Sequence, residues 1–376
     1  MRKKVLFVID SLAGGGAEKV LTVLTKYFNY EEYEVTVCPI VDEGVYCEEV
    51  KRQVTHYKPI IAYKGSSLSR LWNQIKYKLV YFYLPLNWVH KCFFPQGVDI
   101  EIAFCEGYVT KLLAHAHSKT KKIAWVHTDL NDNPWPIELG IFNDSAEESD
   151  AYKQYDKIVC VSETVNHSLR KLYDLGDKIT TVYNPIDIEQ ICNHAGEKQD
   201  NIETVIRLIS VGRLVKQKGY DRLLRVVKQL HKEGYPVNLL ILGDGDERPA
   251  LEAYIGNNDM DSYVSLPGFS TNPYRQIKES DIFVCSSRAE GFSLVIAEAM
   301  ALGVPVVSTY CSGPNELLEE GKCGMLVDNS EDGLYLGLKE ALANMEQMNK
   351  YIPSAQDRLQ DFVPQNIIKK IELLID

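Results

Sequence analysis

The chain has 376 residues, of which 45% are hydrophobic and 25% charged, and its formal net charge is −11. Such a length exceeds what one hydrophobic core usually supports, so we expect two domains, and the composition is that of a globular protein. The acidic balance argues against a general nucleic-acid binder, which would carry a basic surplus.

Cysteine spacing and apolar runs exclude further classes. The nine cysteines are dispersed and no two stand in C-x-x-C spacing, which favours free thiols in a reducing cytosol over disulfides or a zinc site. The N-terminal apolar run stops at Asp10, too early for a signal peptide. The longest apolar stretch, Leu79 to Val89, is about half of the roughly 20 residues that span a bilayer. We therefore expect neither export nor a transmembrane anchor.

The first half of the chain alternates short β-branched runs with longer amphipathic runs. Strands are predicted over Val5–Ile9, Glu34–Ile40, Asp99–Phe104, Lys122–Val126 and Lys157–Val161, with helices such as Ala17–Phe28 and Thr164–Leu172 between them. This alternation is typical of a parallel sheet covered by helices.

The alternation restarts after the polar stretch Asn193–Asn201, which is predicted to be an interdomain linker. Strands follow over Arg207–Val211, Val237–Leu242, Val264–Leu266, Ile282–Cys285, Val304–Ser308 and Met325–Val327, with helices over Tyr220–Lys232 and after Gly291. The fold class is therefore α/β, with two Rossmann-like, doubly wound domains that we expect to face each other across a ligand-binding cleft. The predicted domains are residues 1–187 and 188–355, and an amphipathic helix ends the chain.

Three glycines, Gly14 to Gly16, follow the first predicted strand and open its helix. Glycine lets the backbone approach a ligand, and the amides of a helix start favour an anion. The run matches neither the dinucleotide fingerprint nor the Walker A spacing, since Lys19 stands where the last glycine would be. It predicts either a phosphate-binding loop or a structural turn.

Two cations and two carboxylates of the second half follow strands in a similar way. Arg213 and Lys218 lie in "VGRLVKQKG", and such a pair suits a diphosphate, although both could be solvated surface cations. Asp244 and Asp246 form a D-x-D that holds a divalent metal in some nucleotide-sugar enzymes. Because Gly-Asp is ordinary turn and N-cap chemistry, we predict no metal site there.

The stretch "SSRAEGFSLVIAEAM" places Glu290 and Glu298 eight positions apart around a glycine-bearing turn. The amides at the start of the following helix could bind phosphates. A carboxylate offers two acceptor oxygens and so suits vicinal hydroxyls, those of a hexose at Glu290 and of a ribose at Glu298. The alternative is a glutamate favoured by the helix dipole and a second one at the surface.

Taken together, these motifs resemble the retaining glycosyltransferases of family 4, which have the two-domain GT-B fold. The resemblance runs through "GGGAEKVL", "AWVHTD", "VCVSE", "VYNPID", "VGRLVKQKG", "LGDGDE", "LPGFS", "SSRAEGFSLVIAEAMALGVPVVST" and "GPNELLEEGKCGMLV". The E-x7-E element is its most specific part. In this family the C-terminal helix usually crosses back, so residues 356–376 are expected on the N-terminal domain.

The resemblance also implies roles for individual residues. It implies catalytic roles for His127 near the transferred sugar, Arg213 and Lys218 on the donor diphosphate, and Glu290 on the donor sugar. It implies donor binding by Gly15, Gly16, Gly268, Gly291, Phe292, Ser293, Leu294 and Glu298, the last on the ribose. No metal or other cofactor is expected. His127 could instead be a packed histidine at a strand end.

Residues 51 to 98 contain no Asp or Glu but eight Lys and Arg, interleaved with aromatic residues. Such a segment favours contact with an anionic membrane, although a packed insertion or single-stranded nucleic acid would read similarly. The membrane or acceptor contacts predicted here are Lys64, Arg70, Trp72, Lys76 and Lys78. Bacterial members of the family often extend lipid-linked saccharides, which points the same way.

The resemblance therefore implies transfer of a hexose or N-acetylhexosamine from a nucleotide sugar, UDP-linked, to a lipid-linked saccharide in cell-surface glycan synthesis. The expected location is cytoplasmic, at the inner face of the membrane, without a nucleic-acid partner. The alternatives are a GT-B epimerase or phosphorylase, or a non-catalytic subunit that binds a nucleotide sugar.

Overall fold

The structure is a computed structural model that describes residues 2–62, 67–117, 119–197 and 205–376. The chain divides into two compact units, one of residues 1–185 with 364–376 and one of residues 186–363. The C-terminal segment joins the first unit only from residue 364, whereas the sequence predicted the change at residue 356. The predicted linker from Asn193 begins inside a helix of the second unit, and its later part lies outside the described residues.

The first unit is built on a seven-stranded parallel sheet. Its strands are β1 (Lys3–Ile9), β2 (Tyr33–Pro39), β3 (His56–Tyr57), β4 (Ile100–Ala103), β5 (Lys121–Val126), β6 (Lys157–Cys160) and β7 (Ile179–Thr181), in the order β3-β2-β1-β4-β5-β6-β7. The side chains of β1 from Val5 to Ile9 are all buried, as expected for a strand covered by helices on both faces. The order reverses between β1 and β4, so the switch point of this sheet lies there.

Helices of the first unit connect these strands, and the last helix of the chain packs against the first. They are α1 (Gly16–Tyr27), α2 (Cys47–Gln53), α3 (Ser67–Lys78), α4 (Leu86–Phe93), α5 (Tyr108–Ala114), α6 (Trp135–Glu138), α7 (Ser145–Lys153) and α8 (Glu163–Leu172). One π-helical turn, Leu79–Tyr83, joins α3 to α4. The C-terminal helix is held at the sheet by the Lys3 ammonium, which donates to the Ile375 carbonyl at 3.1 Å.

The second unit is built on a six-stranded parallel sheet. Its strands are β8 (Ile206–Val211), β9 (Val237–Leu242), β10 (Val264–Gly268), β11 (Ile282–Cys285), β12 (Val306–Thr309) and β13 (Met325–Val327), in the order β10-β9-β8-β11-β12-β13. This is the Rossmann order, with the switch point between β8 and β11. Two Rossmann-like parallel sheets confirm the predicted fold class.

Helices surround this second sheet as well. They are α9 (Ile188–Ala195), α10 (Tyr220–Lys232), α11 (Arg248–Asn257), α12 (Tyr274–Glu279), α13 (Leu294–Ala301), α14 (Ser312–Leu317), α15 (Glu331–Ala343), α16 (Met345–Asn349) and α17 (Tyr351–Arg358), followed in the chain by α18 (Pro364–Ile375) of the first unit. Helix α10 buries Leu223, Leu224 and Val227 against the sheet, so the loop before it is firmly placed.

Candidate functional site

Lys218 lies at the switch point of the second sheet, in the loop after β8. Gly219, with φ +67°, follows it as the N-cap residue of α10, and a Cβ atom there would lie 2.1 Å from the Ser286 carbonyl oxygen. Only glycine therefore lets the β8 loop and the β11 loop approach so closely. The Ser286 hydroxyl donates to the Lys218 carbonyl at 2.9 Å and ties the two loops together.

Within this junction, the Lys218 ammonium forms an ion pair with Oε1 of Glu290. The Ser287 hydroxyl donates to the same carboxylate oxygen at 2.8 Å, and Glu290 is only 8% exposed. Burial alone would lower the pKa of Lys218, but the attraction of Glu290 outweighs it and the pKa lies above its ordinary value. Two of the predicted catalytic side chains are thus brought together in one ion pair.

Arg213, also predicted as catalytic, is exposed beside this pair. Its positive charge repels that of Lys218 and is one of the causes that lower the pKa of Lys218. Two cations near one buried carboxylate leave a positive surplus at the switch point. Such a surplus attracts a diphosphate.

Helix α13 begins beside Glu290 with Ser293 as its N-cap residue. Ser293 is 2% exposed, and its hydroxyl oxygen has no hydrogen-bond partner. An α-helix leaves its first amides without intrahelical partners, which makes this end suitable for phosphate. Glu298 lies farther along α13 and is 2% exposed, which excludes the alternative of a surface glutamate.

The neighbouring predicted residues also find their places in the second unit. Gly291 precedes α13 and packs so closely on Gly313 that a Cβ on Gly313 would lie 2.7 Å from the Gly291 backbone. The Phe292 ring packs edge-on against Phe362 at 5.6 Å, and Leu294 opens α13. Gly268 ends β10 with φ +104° and accepts the Gly243 amide at 2.9 Å.

The two aspartates of the D-x-D motif lie in the turn between β9 and α11. The Asp244 side chain accepts the amide of Gly245 at 2.8 Å and is 62% exposed. Neither aspartate is the N-cap of α11, which is Glu247. Within the described ranges, no group of three or more His, Cys, Asp or Glu side chains is arranged to hold a metal ion.

Arg222 is a supporting residue that sequence reasoning missed. It lies on α10, is 5% exposed, and donates to the carbonyls of Ser286 and Ser287 at 2.8 to 3.0 Å and to the Asn329 side chain at 2.7 Å. It therefore fixes the loop that carries Glu290. An arginine amid the apolar face of an amphipathic helix was the available signal.

In the first unit, the glycine run forms the turn between β1 and α1. Gly14 has φ +129°, and Gly15 is the N-cap residue of α1, which begins at Gly16. A Cβ on Gly15 would lie 2.4 Å from the Glu18 carboxylate. Since no side chain caps this helix, the backbone itself offers donors at the carboxyl edge of the sheet.

His127 follows β5 at the same edge. Its Nε2 lies 3.1 Å from the Phe104 carbonyl, which can only accept, so Nε2 carries the proton and Nδ1 is left as an acceptor. Burial lowers the pKa of His127 to about 4, so the ring is neutral at neutral pH. A neutral histidine with an acceptor nitrogen suits a sugar hydroxyl.

Glu106, which sequence reasoning also missed, holds the His127 loop. Its Oε1 accepts the amides of His127 and Thr128, both at 2.6 Å. Burial raises the pKa of Glu106 to about 7 despite these bonds. Its sequence setting, "FCEGY", gave no signal because the contact spans 21 positions.

The basic and aromatic segment forms α3, the π-helical turn and α4. Among the described residues, half of the exposed large hydrophobic side chains lie here: Leu71, Trp72, Ile75, Phe82, Tyr83 and Trp88, at 43% to 74% exposure. Lys78 is exposed as well. No helix of the described chain has the length and apolar character to cross a bilayer.

Lys76 differs from the exposed cation that the sequence predicted. Its ammonium donates to the Ile60 carbonyl and lies 4.9 Å from the Phe93 ring centre, and burial lowers its pKa. These contacts pack the segment onto the unit. Lys64 and the Arg70 side chain lie outside the described residues.

Two Rossmann-like sheets in one chain, each with polar groups at its switch point, are the architecture of GT-B glycosyltransferases. The structure of Anabaena HepE in complex with UDP and glucose superposes with a TM-score of 0.78 and 18% identity, covering 100% of this chain and 99% of that one. Sucrose-phosphate synthase from Thermosynechococcus elongatus gives 0.77 at 16% identity, covering 99% and 98%.

Two family models cover most of the sequence. "Glycosyltransferase Family 4" matches residues 14–190 and "Glycosyl transferases group 1" matches residues 195–358. The chain belongs to the glycosyltransferase family that these two models together describe.

Two curated relatives match nearly the full length of the chain. A Campylobacter jejuni N-acetylgalactosamine-N,N'-diacetylbacillosaminyl-diphospho-undecaprenol 4-alpha-N-acetylgalactosaminyltransferase is 28% identical over 96% of both chains. The amylovoran biosynthesis glycosyltransferase AmsD of Erwinia amylovora is 26% identical over 98% of both.

Proposed function

We propose that the protein is a retaining, metal-independent glycosyltransferase that moves a hexose or N-acetylhexosamine from a UDP-sugar to a lipid-linked saccharide in bacterial cell-surface glycan synthesis. One observation carries the donor half of this proposal. The Lys218–Glu290 pair lies at the switch point of the second sheet, beside the amino end of α13. A phosphate-binding cation thus adjoins a carboxylate that can accept sugar hydroxyls.

In this proposal the donor residues stabilise the departing nucleoside diphosphate. Lys218, Arg213 and the first amides of α13 meet the negative charge that grows on the leaving oxygen. Glu290 accepts hydroxyls of the transferred sugar and Glu298 those of the ribose. His127 contacts the transferred sugar, and the leaving phosphate takes the proton of the attacking hydroxyl.

UDP and a lipid-linked acceptor are the specific choices. The complexes of Anabaena HepE with UDP and with UDP-glucose support the first. The Campylobacter relative, whose acceptor is an undecaprenyl-diphosphate saccharide, supports the second. Amylovoran and colanic acid enzymes among the relatives support a role in polysaccharide synthesis.

Docking of the first unit on the inner face of the membrane completes the proposal. The exposed rings Trp72, Phe82 and Trp88 supply an apolar surface, and Lys78 and Lys91 are exposed in the same segment. Since Lys76 is packed, we expect the rings to contribute more than charge. Part of the vesicle binding should therefore survive high salt.

The donor half is tested by measuring the unfolding midpoint in the presence of UDP, GDP and the common UDP-sugars and GDP-sugars. Transfer from the stabilising donor to prenyl-diphosphate-linked N-acetylhexosamines is then measured. Stabilisation by a UDP-sugar and a product with the donor's anomeric configuration, read by NMR, would support the proposal. Interconversion of sugar nucleotides would indicate an epimerase, and phosphorolysis of a glycan a phosphorylase. Donor binding without any turnover would indicate a non-catalytic subunit.

The membrane half is tested by co-sedimentation with phosphatidylglycerol and phosphatidylcholine vesicles. The double variant Trp72→Gln and Phe82→Ser should lose most binding. Leu336→Gln is the matched control, because Leu336 is also exposed, at 62%, but lies on the second unit. Equal binding by the double variant and the control would refute docking through this segment.

A further inference from the structure

Asp10 lies at the switch point of the first sheet but has no role in the function proposed so far. It directly follows β1, and Cys105 lies just beyond the neighbouring strand β4. Ligands of doubly wound sheets bind outside the carboxyl ends of the strands at this reversal of strand order. The second sheet has its donor residues at the corresponding position.

The hydrogen bonds to the Asp10 carboxylate are weak. Oδ1 lies 3.4 Å from the Tyr81 hydroxyl, and Oδ2 lies 3.5 Å from the Cys105 sulfur. The first distance is at the outer limit of a hydrogen bond, and a thiol is a weak donor. A carboxylate has room for about four donors. No ion pair of Asp10 is found in the described part of the chain, and the charged group that acts on it, Glu18, has the same sign.

Asp42 shows what a satisfied aspartate looks like at the same sheet. It follows β2, and its side chain accepts the Tyr57 hydroxyl at 2.8 Å and lies 3.5 Å from the Lys51 ammonium. Both aspartates therefore face a tyrosine, but only Asp42 has a short bond and a cation. A partly buried carboxylate left with weak donors is costly unless a ligand supplies better ones.

Tyr81 links Asp10 to the exposed aromatic segment. Its ring packs on Tyr108 at 4.4 Å, and the next two residues, Phe82 and Tyr83, are 72% and 74% exposed. One π-helical turn thus touches Asp10 on one side and presents apolar rings to the surroundings on the other. A lipid-linked saccharide has the same two characters, an apolar chain and a hydroxylated head.

We propose that Asp10 binds a hydroxyl of the acceptor saccharide at the switch point of the first sheet, and that Tyr81 positions its carboxylate. This inference rests on the proposed function and names the acceptor side of it. The bond is an ordinary one, in which the saccharide hydroxyl donates and Asp10 accepts. It replaces the weak thiol contact as the main partner of the carboxylate.

The arrangement makes acceptor binding depend on pH. Burial raises the pKa of Asp10 to about 6, and repulsion by Glu18 of α1 adds to this. Burial also raises the pKa of Cys105 beyond β4 and of Tyr81 in the π-helical turn, so both stay neutral donors. Of Asp10, Cys105 and Tyr81, only Asp10 therefore changes charge near pH 6, and below that pH it can no longer accept in the same way.

The experiment compares full-length wild type, Asp10→Asn, Tyr81→Phe and the matched control Asp42→Asn. The donor is the sugar nucleotide that most raises the unfolding midpoint. The acceptor is the prenyl-diphosphate-linked N-acetylhexosamine that wild type turns over fastest. For Asp10→Asn we expect an acceptor KM raised at least tenfold, with donor KM and donor hydrolysis within twofold of wild type. Tyr81→Phe should raise acceptor KM about threefold, and Asp42→Asn should leave it unchanged.

Several results separate this inference from the proposed function. An unchanged acceptor KM in Asp10→Asn, with donor hydrolysis intact, overturns the role of Asp10 alone. If wild type binds no sugar nucleotide, the proposed function is overturned. If wild type hydrolyses the donor but turns over no prenyl acceptor, both the proposed function and the role of Asp10 are overturned. If Asp10→Asn fails to fold, the wild-type pH profile decides, measured beside that of Glu106→Gln because Glu106 titrates in the same range. Acceptor KM relative to donor KM should rise as pH falls from 7 to 5, and a flat ratio overturns the inference.

Discussion

Replacing Glu290 by glutamine leaves Lys218 charged beside an amide in place of its carboxylate. The two side chains are 9% and 19% exposed, so neither is well solvated. Removing one partner of a buried pair costs about 3–5 kcal/mol. Because Lys218 keeps some contact with solvent, we expect a loss of about 2–3 kcal/mol in the free energy of unfolding. At roughly 2–4 °C per kcal/mol for a unit of this size, the midpoint should fall by roughly 4–12 °C.

The same change should make the protein respond more strongly to UDP. In wild type the diphosphate competes with Glu290 for Lys218, whereas in Glu290→Gln it supplies the missing negative charge. The rise in unfolding midpoint at saturating UDP should therefore be larger in the variant. Turnover should fall by about 100-fold or more, because the amide no longer supports the transferred sugar as it departs.

The control is Glu331→Gln, since Glu331 pairs with Arg225 at 2.6 Å but both side chains are about 40% exposed. An exposed pair contributes about 0–1 kcal/mol, so this variant should stay close to wild type in midpoint, UDP response and turnover. Equal midpoints for Glu290→Gln and Glu331→Gln, or turnover within twofold of wild type in both, would refute the reasoning.

Three further outcomes are expected. Activity should survive exhaustive chelation and Asp244→Asn should affect stability more than turnover; loss with EDTA that manganese or magnesium restores would contradict this. Arg222→Met should leave the Ser286 carbonyl without its donor, whereas the Ser287 carbonyl keeps the Thr309 hydroxyl at 2.6 Å; this costs about 1–3 kcal/mol for the unsatisfied group and should raise donor KM, and an unchanged donor KM would show that the loop holds without Arg222. The unfolding midpoint should depend on pH between 5 and 8 through Glu106, which Glu106→Gln tests.

Most strands were predictable because their apolar runs are buried on both faces. Val237–Leu242 and Ile282–Cys285 match the structure at both ends, as does the helix Tyr220–Lys232. Strands β3 and β7 were not predicted, since two or three residues carry no periodicity. The predicted linker from Asn193 was wrong at its start because polar residues also cover the exposed face of α9.

The residues of the candidate site were likewise predictable only in part. Lys218 and Glu290 were predicted from motifs in which each residue follows a strand, and parallel strands bring such positions to one edge. Arg222, Glu106 and Asp10 act through partners 64, 21 and 95 positions away. Lys76 was expected to be exposed because charge runs usually are, but its ammonium lies 4.9 Å from the Phe93 ring centre and donates to the Ile60 carbonyl. Burial of this kind depends on tertiary contacts that spacing does not reveal.

The pH dependence follows from the carboxyl group that holds the His127 loop. Burial raises the pKa of Glu106 from 4.5 to about 7, so the folded state keeps a proton that the unfolded state releases between these values. Stability should therefore fall as pH rises from about 5 to 7, by up to about 3 kcal/mol from this group. His127 acts in the opposite direction, because its pKa of about 4 in the folded state means that stability is lost as pH falls below about 6.5.

Glu106→Gln keeps an acceptor oxygen for the two backbone amides but cannot ionise. At pH 8 the unfolding midpoint of the variant should therefore exceed that of wild type. At pH 5 the midpoint of the variant should be lower only to the extent that glutamine forms weaker hydrogen bonds to the two amides. Midpoints measured from pH 5 to 8 that differ between wild type and variant by a constant amount would show that Glu106 does not titrate in this range.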